Sequence, residues 1–241
     1  MQTTTRISLW SGPRNVSTAL MYSFAQRPDT SIVDEPLYGH YLKVSGADHP
    51  GREEVMQDMN LNGPEVAQQL ISVDYGSPLV FFKNMAHHLI ELPEQFLSGL
   101  TNIFLVRDPK EMLPSLVNQI PHPKMLDTAL EMQWKLFEKL AQDGGHPLVI
   151  DSKELLLNPT KILQAVCAQL DIPYYPQMTS WQAGARPEDG VWAKHWYHNV
   201  HKSTGFGVYT PKEVAVRTDL EELLADCSYY YQKLYQQALK A

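Results

Sequence analysis

Ser11-Gly12-Pro13-Arg14-Asn15-Val16-Ser17-Thr18 stands between an apolar run, Ile7–Trp10, and a second apolar stretch from Ala19 to Phe24. The pattern predicts a strand, a phosphate-sized turn and the start of a helix. A helix N-terminus leaves N–H groups without intrahelical partners and carries partial positive charge, so an anion there meets several donors at once. Arg14 adds a full charge, and Ser17 and Thr18 add hydroxyls. Gly-Pro-Arg-Asn is also ordinary turn chemistry, so this segment alone leaves a plain strand-to-helix connection open.

A second segment with chemical content is Ile103-Phe104-Leu105-Val106-Arg107-Asp108-Pro109-Lys110-Glu111-Met112-Leu113-Pro114-Ser115. A strand is expected to end at Arg107, Pro109 suits a first helical turn, and Ser115 falls about two turns into the helix. An Arg at the carboxyl end of a central strand lies on the ligand side of an open α/β sheet, the alternative being an Arg107–Asp108 surface turn. Between these segments, Leu79-Val80-Phe81-Phe82-Lys83 reads as a strand followed by His87 and His88, and Asp34-Glu35-Pro36 follows an earlier strand. The two adjacent histidines point in different directions on strand or helix.

Short apolar runs at 7–10, 31–33, 79–83, 102–106 and 147–150 alternate with helical patterns at 17–27, 65–72, 93–99, 110–119, 125–142, 159–170 and 219–239. This rhythm predicts an α/β fold of three layers, α/β/α, with a central, mostly parallel sheet, in a single domain spanning 1–241. The last helix is the clearest: Thr218 and Glu221 have capping-box spacing, and Leu220, Leu223, Leu224, Cys227, Tyr231, Leu234 and Tyr235 form one apolar stripe. Two stretches, about 39–63 and 174–211, break the alternation and are expected to be loops over the site.

With 241 residues and 44% hydrophobic content the chain can bury a sizeable core. A net charge of −7 gives no global attraction for nucleic acid or an anionic membrane, so any anion site is a local one. The polar start Met1–Arg6 and the absence of a long apolar run predict a cytoplasmic protein with neither partner. Cys167 and Cys227 read as core residues. His195, His198 and His201 recur at every third residue without a nearby Cys or carboxylate at ligand spacing, so no metal site is expected. Trp181, Trp192 and Trp196 could stack on adenine or line an acceptor pocket, with core or loop packing the commoner fate of any one of them.

The first turn resembles the P-loop of nucleoside triphosphate hydrolases, with a difference. Counting from Gly12 in G-x-x-x-x-G-K-[ST], the second Gly is Ser17, the Lys is Thr18 and the metal-binding hydroxyl position is Ala19. A Mg-dependent phosphoryl transferase needs that Lys and hydroxyl, so this turn suits a nucleotide handled without an obligatory metal.

The set of segments resembles the sulfotransferase family, in its bacterial form, over roughly residues 6 to 173. Pro13-Arg14-Asn15-Val16-Ser17-Thr18 is similar to the family's 5′-phosphosulfate loop, and Arg107-Asp108-Pro109 with Ser115 to its 3′-phosphate motif. Lys83 ends a strand like the one that presents the family's catalytic His, although the Lys-x-His position falls on Met85, two and three places before His87 and His88. Asp34-Glu35-Pro36-Leu37-Tyr38 resembles a Glu-Pro segment in which some members place their base, and Val149–Leu156 with Asn158-Pro159 resembles the late strand and helix. The resemblance implies transfer of a sulfuryl group from 3′-phosphoadenosine 5′-phosphosulfate to a hydroxyl or amine of a small acceptor, leaving adenosine 3′,5′-bisphosphate, with no metal required. It assigns donor contacts to Gly12, Pro13, Arg14, Asn15, Val16, Ser17, Thr18, Arg107 and Ser115, charge at the sulfonate to Arg14 and Lys83, and makes His87, then His88, then Glu35 the candidates to take the acceptor's proton. Lys202, Ser203, Thr204 and Gly205 stand in for the family's closing segment, whose own pattern the chain lacks. The alternatives are a kinase-like phosphotransferase with an altered loop and a non-catalytic nucleotide-binding protein of the same fold.

Overall fold

The computed structural model describes residues 4–211 and 215–241, so the first three residues of the polar start lie outside it. In chain order the elements are β1 (Thr5–Ser11), α1 (Ser17–Phe24), β2 (Thr30–Asp34), α2 (Tyr38–Ser45), α3 (Arg52–Asp58), α4 (Gly63–Ser72), β3 (Leu79–Met85) and β4 (Thr101–Val106). They continue with α5 (Pro109–Leu116), α6 (Met125–Thr128), α7 (Leu130–Gln142), β5 (Leu148–Asp151), α8 (Ser152–Leu157), α9 (Pro159–Gln169), α10 (Ala193–Trp196) and α11 (Glu221–Tyr235). The strands form a central all-parallel sheet in the order β2-β3-β1-β4-β5. Among the described residues, no helix is long and apolar enough to cross a membrane.

The chain divides into two compact units, one of residues up to Leu9 with Ser17–Asn102 and Tyr175–Phe206, the other of Trp10–Val16, Ile103–Tyr174 and Gly207–Ala241. In the first, β2 and β3 pair in parallel from Thr30 opposite Leu79 to Asp34 opposite Lys83. All seven residues of β3 are buried, which explains its unbroken apolar start Leu79–Phe82 and makes Lys83 and Asn84 exceptions that need partners. Phe24 of α1 stacks on Phe81 with ring centroids 4.2 Å apart. In the second, β4 and β5 run parallel from Ile103 opposite Leu148 to Val106 opposite Asp151. Leu220, Cys227, Tyr231 and Leu234 are buried, as the stripe on the last helix predicts. Cys167 and Cys227 are both buried.

Three boundaries differ from the sequence reading. The stretch 39–63 is not a loop: it holds α2 and α3. Gly39, which argues against a helix, is required there because a Cβ on it would lie 2.8 Å from Met59 Cβ. The helix expected over 125–142 is two, broken at Ala129, whose φ of 62° is left-handed. Thr218 does not cap α11; a 3₁₀ turn over Thr218–Leu220 leads into it without a side-chain cap. The stretch 174–211 carries only short helical turns, as expected of an irregular segment.

Candidate functional site

The turn after β1 is shaped by close contacts. A Cβ on Gly12 would meet the Thr128 carbonyl at 2.7 Å, so the break between α6 and α7 and the glycine of the turn fit one another. Gln133 of α7 is fully buried and donates from Nε2 to the carbonyls of Trp10 and Leu105, each at 2.9 Å. Asn15 Nδ2 donates to the same Leu105 carbonyl at 3.2 Å. Gln133→Leu removes two buried hydrogen bonds at the base of the turn and is expected to lower stability by about 1–3 kcal/mol, read from urea unfolding.

Arg14 sits in the left-handed region at φ 56°, a conformation that costs a non-glycine residue about 1–3 kcal/mol and that functional turns retain. Its Nε donates to Ser115 Oγ at 2.9 Å. In return, Arg107 Nη1 donates to the Arg14 carbonyl at 2.7 Å, and Arg107 Nη2 pairs with Glu111 at 3.2 Å. The Nε of Arg107 is buried and has no acceptor among the described residues. Burial, then the neighbouring Arg107, lowers the pKa of Arg14 from its usual value, as expected of two guanidinium groups drawn together. Asp108 caps α5 by accepting from the Lys110 N–H at 2.9 Å, and Pro109 occupies the first turn. Arg14, Arg107 and Ser115 are thus one cluster, and Glu111, which the sequence did not single out, is its ion-paired carboxylate.

The ammonium of Lys83 in the other unit is surrounded. It donates to Asp34 Oδ1 at 3.0 Å, to Glu35 Oε1 and to the Tyr197 hydroxyl at 2.7 Å. Tyr197 in turn donates to Asp34 Oδ2 at 2.7 Å and accepts from Trp192 Nε1 at 3.3 Å. All three N–H bonds of Lys83 therefore point at partners. Burial favours its neutral form, but Asp34 and Glu35 outweigh that and raise its pKa, so it is charged. Burial pushes the Glu35 carboxyl up, with Lys83 pulling against it. Glu35 has a φ of 41°, and its side chain is 10% exposed against 2% for Lys83 and 1% for Asp34. Tyr197 lay in the aromatic-rich stretch without any spacing that marked it.

His87 and His88 are both buried directly after β3, and the Nδ1 of each has no hydrogen-bond partner among the described residues. His88 stacks on Tyr38 and Tyr41, with centroids 5.1 and 4.8 Å away, and Tyr41 meets His87 edge-on. Burial, then His49, lowers His87 to about 3, and burial, then His87, lowers His88 well below its usual value. Both rings are neutral at pH 7. In the 174–211 stretch, Ser203 accepts from Trp181 Nε1 at 3.1 Å and Gly205 bridges to Ser180, with Lys202 and Thr204 beside them. His201 Nε2 binds Asp189 at 2.9 Å. Trp181 and Trp192 are buried, as packing residues should be.

An all-parallel α/β sheet whose first strand runs through a glycine-bearing turn into a helix, with two guanidinium groups at that turn, defines the class. The sulfotransferase domain family model matches residues 5–238, and the chain belongs to that family. Among solved structures it is similar to the sulfotransferase domain from the curacin biosynthetic pathway, with a TM-score of 0.56 at 17% identity over 95% of this chain and 99% of that one. It is also similar to a sulfotransferase from Alicyclobacillus acidocaldarius, with a TM-score of 0.57 at 11% identity and 98% of both chains covered. At these identities the likeness is one of fold. Among curated proteins, the branched-chain-amino-acid aminotransferase-like protein 1 of Arabidopsis thaliana is 43% identical over 211 residues, 86% of this chain. The chain spans only 37% of that protein's length.

Proposed function

We propose that the protein transfers a sulfuryl group from 3′-phosphoadenosine 5′-phosphosulfate to a hydroxyl or amine of a small acceptor. The observation that carries this reading is the Arg14–Ser115–Arg107 cluster: two guanidinium groups with one ion-paired carboxylate and a buried N–H without an acceptor form a prepared site for a phosphate dianion. When bound, the donor supplies the electrophilic sulfur and a phosphate leaving group. The turn Gly12–Thr18, Arg107 and Ser115 hold it, and fixed cations and N–H donors take the part that Mg and the P-loop Lys take in a kinase.

Glu35 accepts the acceptor's proton as the new bond to sulfur forms. Its carboxyl is displaced upward toward the working pH and is the most open member of its cluster, whereas His87 is too weak a base at about 3. A cavity of about 460 Å³ is lined by Asp34 and Pro36, though not by Glu35 between them, with Asp58, Met59 and Trp192 in its wall. That volume suits a small molecule, and its mixed acidic and apolar wall suits an amine or hydroxyl on an apolar body.

Titration calorimetry with adenosine 3′,5′-bisphosphate, ADP and ATP–Mg tests the donor. The bisphosphate is expected to bind tightest without metal, and Arg107→Ala to weaken it about tenfold to hundredfold through loss of charge-assisted bonds. Equal binding of ADP and the bisphosphate would refute the reading.

A further inference from the structure

The hydroxyl of Tyr197 is held from three sides. Its single proton goes to Asp34 Oδ2 at 2.7 Å, and its oxygen accepts from Lys83 Nζ at 2.7 Å and from Trp192 Nε1 at 3.3 Å, so it has no further proton to give. The backbone on either side is fixed, since the Tyr197 N–H donates to the Ala193 carbonyl at 2.8 Å and the Tyr197 carbonyl accepts from the His201 N–H at 2.9 Å. Burial, then Asp34, holds the phenol pKa well above its usual value, so the proton stays on the ring oxygen at neutral pH. Both oxygens of Asp34 are thereby answered, Oδ1 by Lys83 and Oδ2 by Tyr197, and the same ammonium reaches Glu35 Oε1.

We infer that Tyr197 is a positioning residue for the proton transfer: by answering Asp34 and Lys83 together it keeps the ammonium on Glu35, and so sets the pH at which Glu35 can act as a base. The inference rests on the reading of Glu35 as that base. Its physical basis is competition for one cation. Without the phenol, Asp34 Oδ2 is a buried carboxylate oxygen with no donor and Lys83 has an N–H with no acceptor, and the ammonium answers both by moving onto Asp34. Burial raises the Glu35 carboxyl, while Lys83 and, in smaller part, Tyr197 pull it down. With the phenol gone, Glu35 loses the second of these and a share of the first, and keeps its proton to higher pH. The other groups around the cluster do not take over. Tyr38 at the start of α2 is a phenol held protonated by burial and then by Glu35, Trp192 is uncharged, and burial keeps His88, beside Lys83, neutral. Among the described residues Lys83 is the cation that decides.

Carbon-13 NMR of the full chain labelled at its glutamate carboxyls, with the Glu35 resonance assigned by its loss in Glu35→Gln, reads the titration directly. Tyr197→Phe keeps the ring, whose centroid lies 5.0 Å from Lys83 Nζ, and removes only the hydroxyl. It is expected to raise the Glu35 midpoint by about 0.5–1 pH unit. The pH limb of bisphosphate release from 3′-phosphoadenosine 5′-phosphosulfate, with water as the acceptor, should move upward with it, the rate above the limb staying within about threefold. Replacing Tyr197 by 3-fluorotyrosine makes the hydroxyl a stronger donor and a weaker acceptor, so it is expected to lower the midpoint, and it carries the test should the Phe variant fail to fold. A midpoint that is unmoved or lowered in Tyr197→Phe, or unmoved or raised with 3-fluorotyrosine, overturns the inference and leaves Tyr197 a packing residue. A release rate with the same pH limb in Glu35→Gln as in the unaltered chain overturns the reading of Glu35 as the base, a distinct result.

Discussion

Lys83→Met is expected to cost about 3–5 kcal/mol at neutral pH, the largest loss of stability for any single exchange at the site. Lys83 is the one cation among two carboxylates and a phenol, all buried, and Met preserves its length while removing three hydrogen bonds. Asp34 and Glu35 are then left without their cation, and the Glu35 carboxyl, already raised by burial, loses the charge that pulls against that rise in the folded state. The pH dependence follows. A carboxyl with a folded pKa above its unfolded value binds more protons in the folded state, so its penalty is felt at high pH and disappears as pH falls toward the unfolded value, about 4. Urea unfolding of the variant should therefore show the deficit at pH 7.5 shrinking markedly at pH 5. A deficit that does not change with pH would mean that packing, not charge, is what Lys83 provides.

Glu35→Gln is expected to leave the fold intact and to lower kcat about 10²- to 10⁴-fold with any acceptor the unaltered protein sulfates. Gln retains an oxygen to accept from Lys83, so the ion cluster loses a charge it holds at the expense of burial and keeps its hydrogen bond. On the proposed role Glu35 acts ionised, so the rate should rise with pH through a carboxyl displaced upward from its ordinary value, and that limb should vanish in the variant. Single-turnover rates across pH 5–8, with bisphosphate affinity measured beside them, give the test. Unchanged rates in Glu35→Gln, with a large loss in His87→Ala, would give the proton to the histidine.

Elements whose local pattern agrees with their environment were legible in advance. β3 and β4 announced themselves as unbroken apolar runs, and Pro109 after Asp108 marked the start of α5. α2 and α3 did not, because α2 contains a glycine, lacks a side-chain cap and owes its form to packing against Met59 and Leu61. The break at Ala129 was hidden in a sequence with good helical pattern throughout, since it answers to the close approach of Gly12 rather than to any local signal. In the candidate site, Arg14, Arg107 and Ser115 were marked by the family resemblance of their segments, and the fold brings the three side by side. Tyr197 was not, for its partner Asp34 lies 163 residues away and one phenol among many carries no mark. Glu111 and Gln133 were missed for the same reason: their role is to bind other residues of the chain, and only the folded contacts reveal it.

Arg14 and Glu35 share a property besides their place in the proposed chemistry: each follows a strand and holds a backbone angle, 56° and 41°, that glycine would adopt with less penalty. Directed evolution for heat resistance alone would accordingly be drawn toward glycine at residue 14, whose Nε bonds a neutral hydroxyl, and held back from it at residue 35, whose carboxylate answers the buried Lys83.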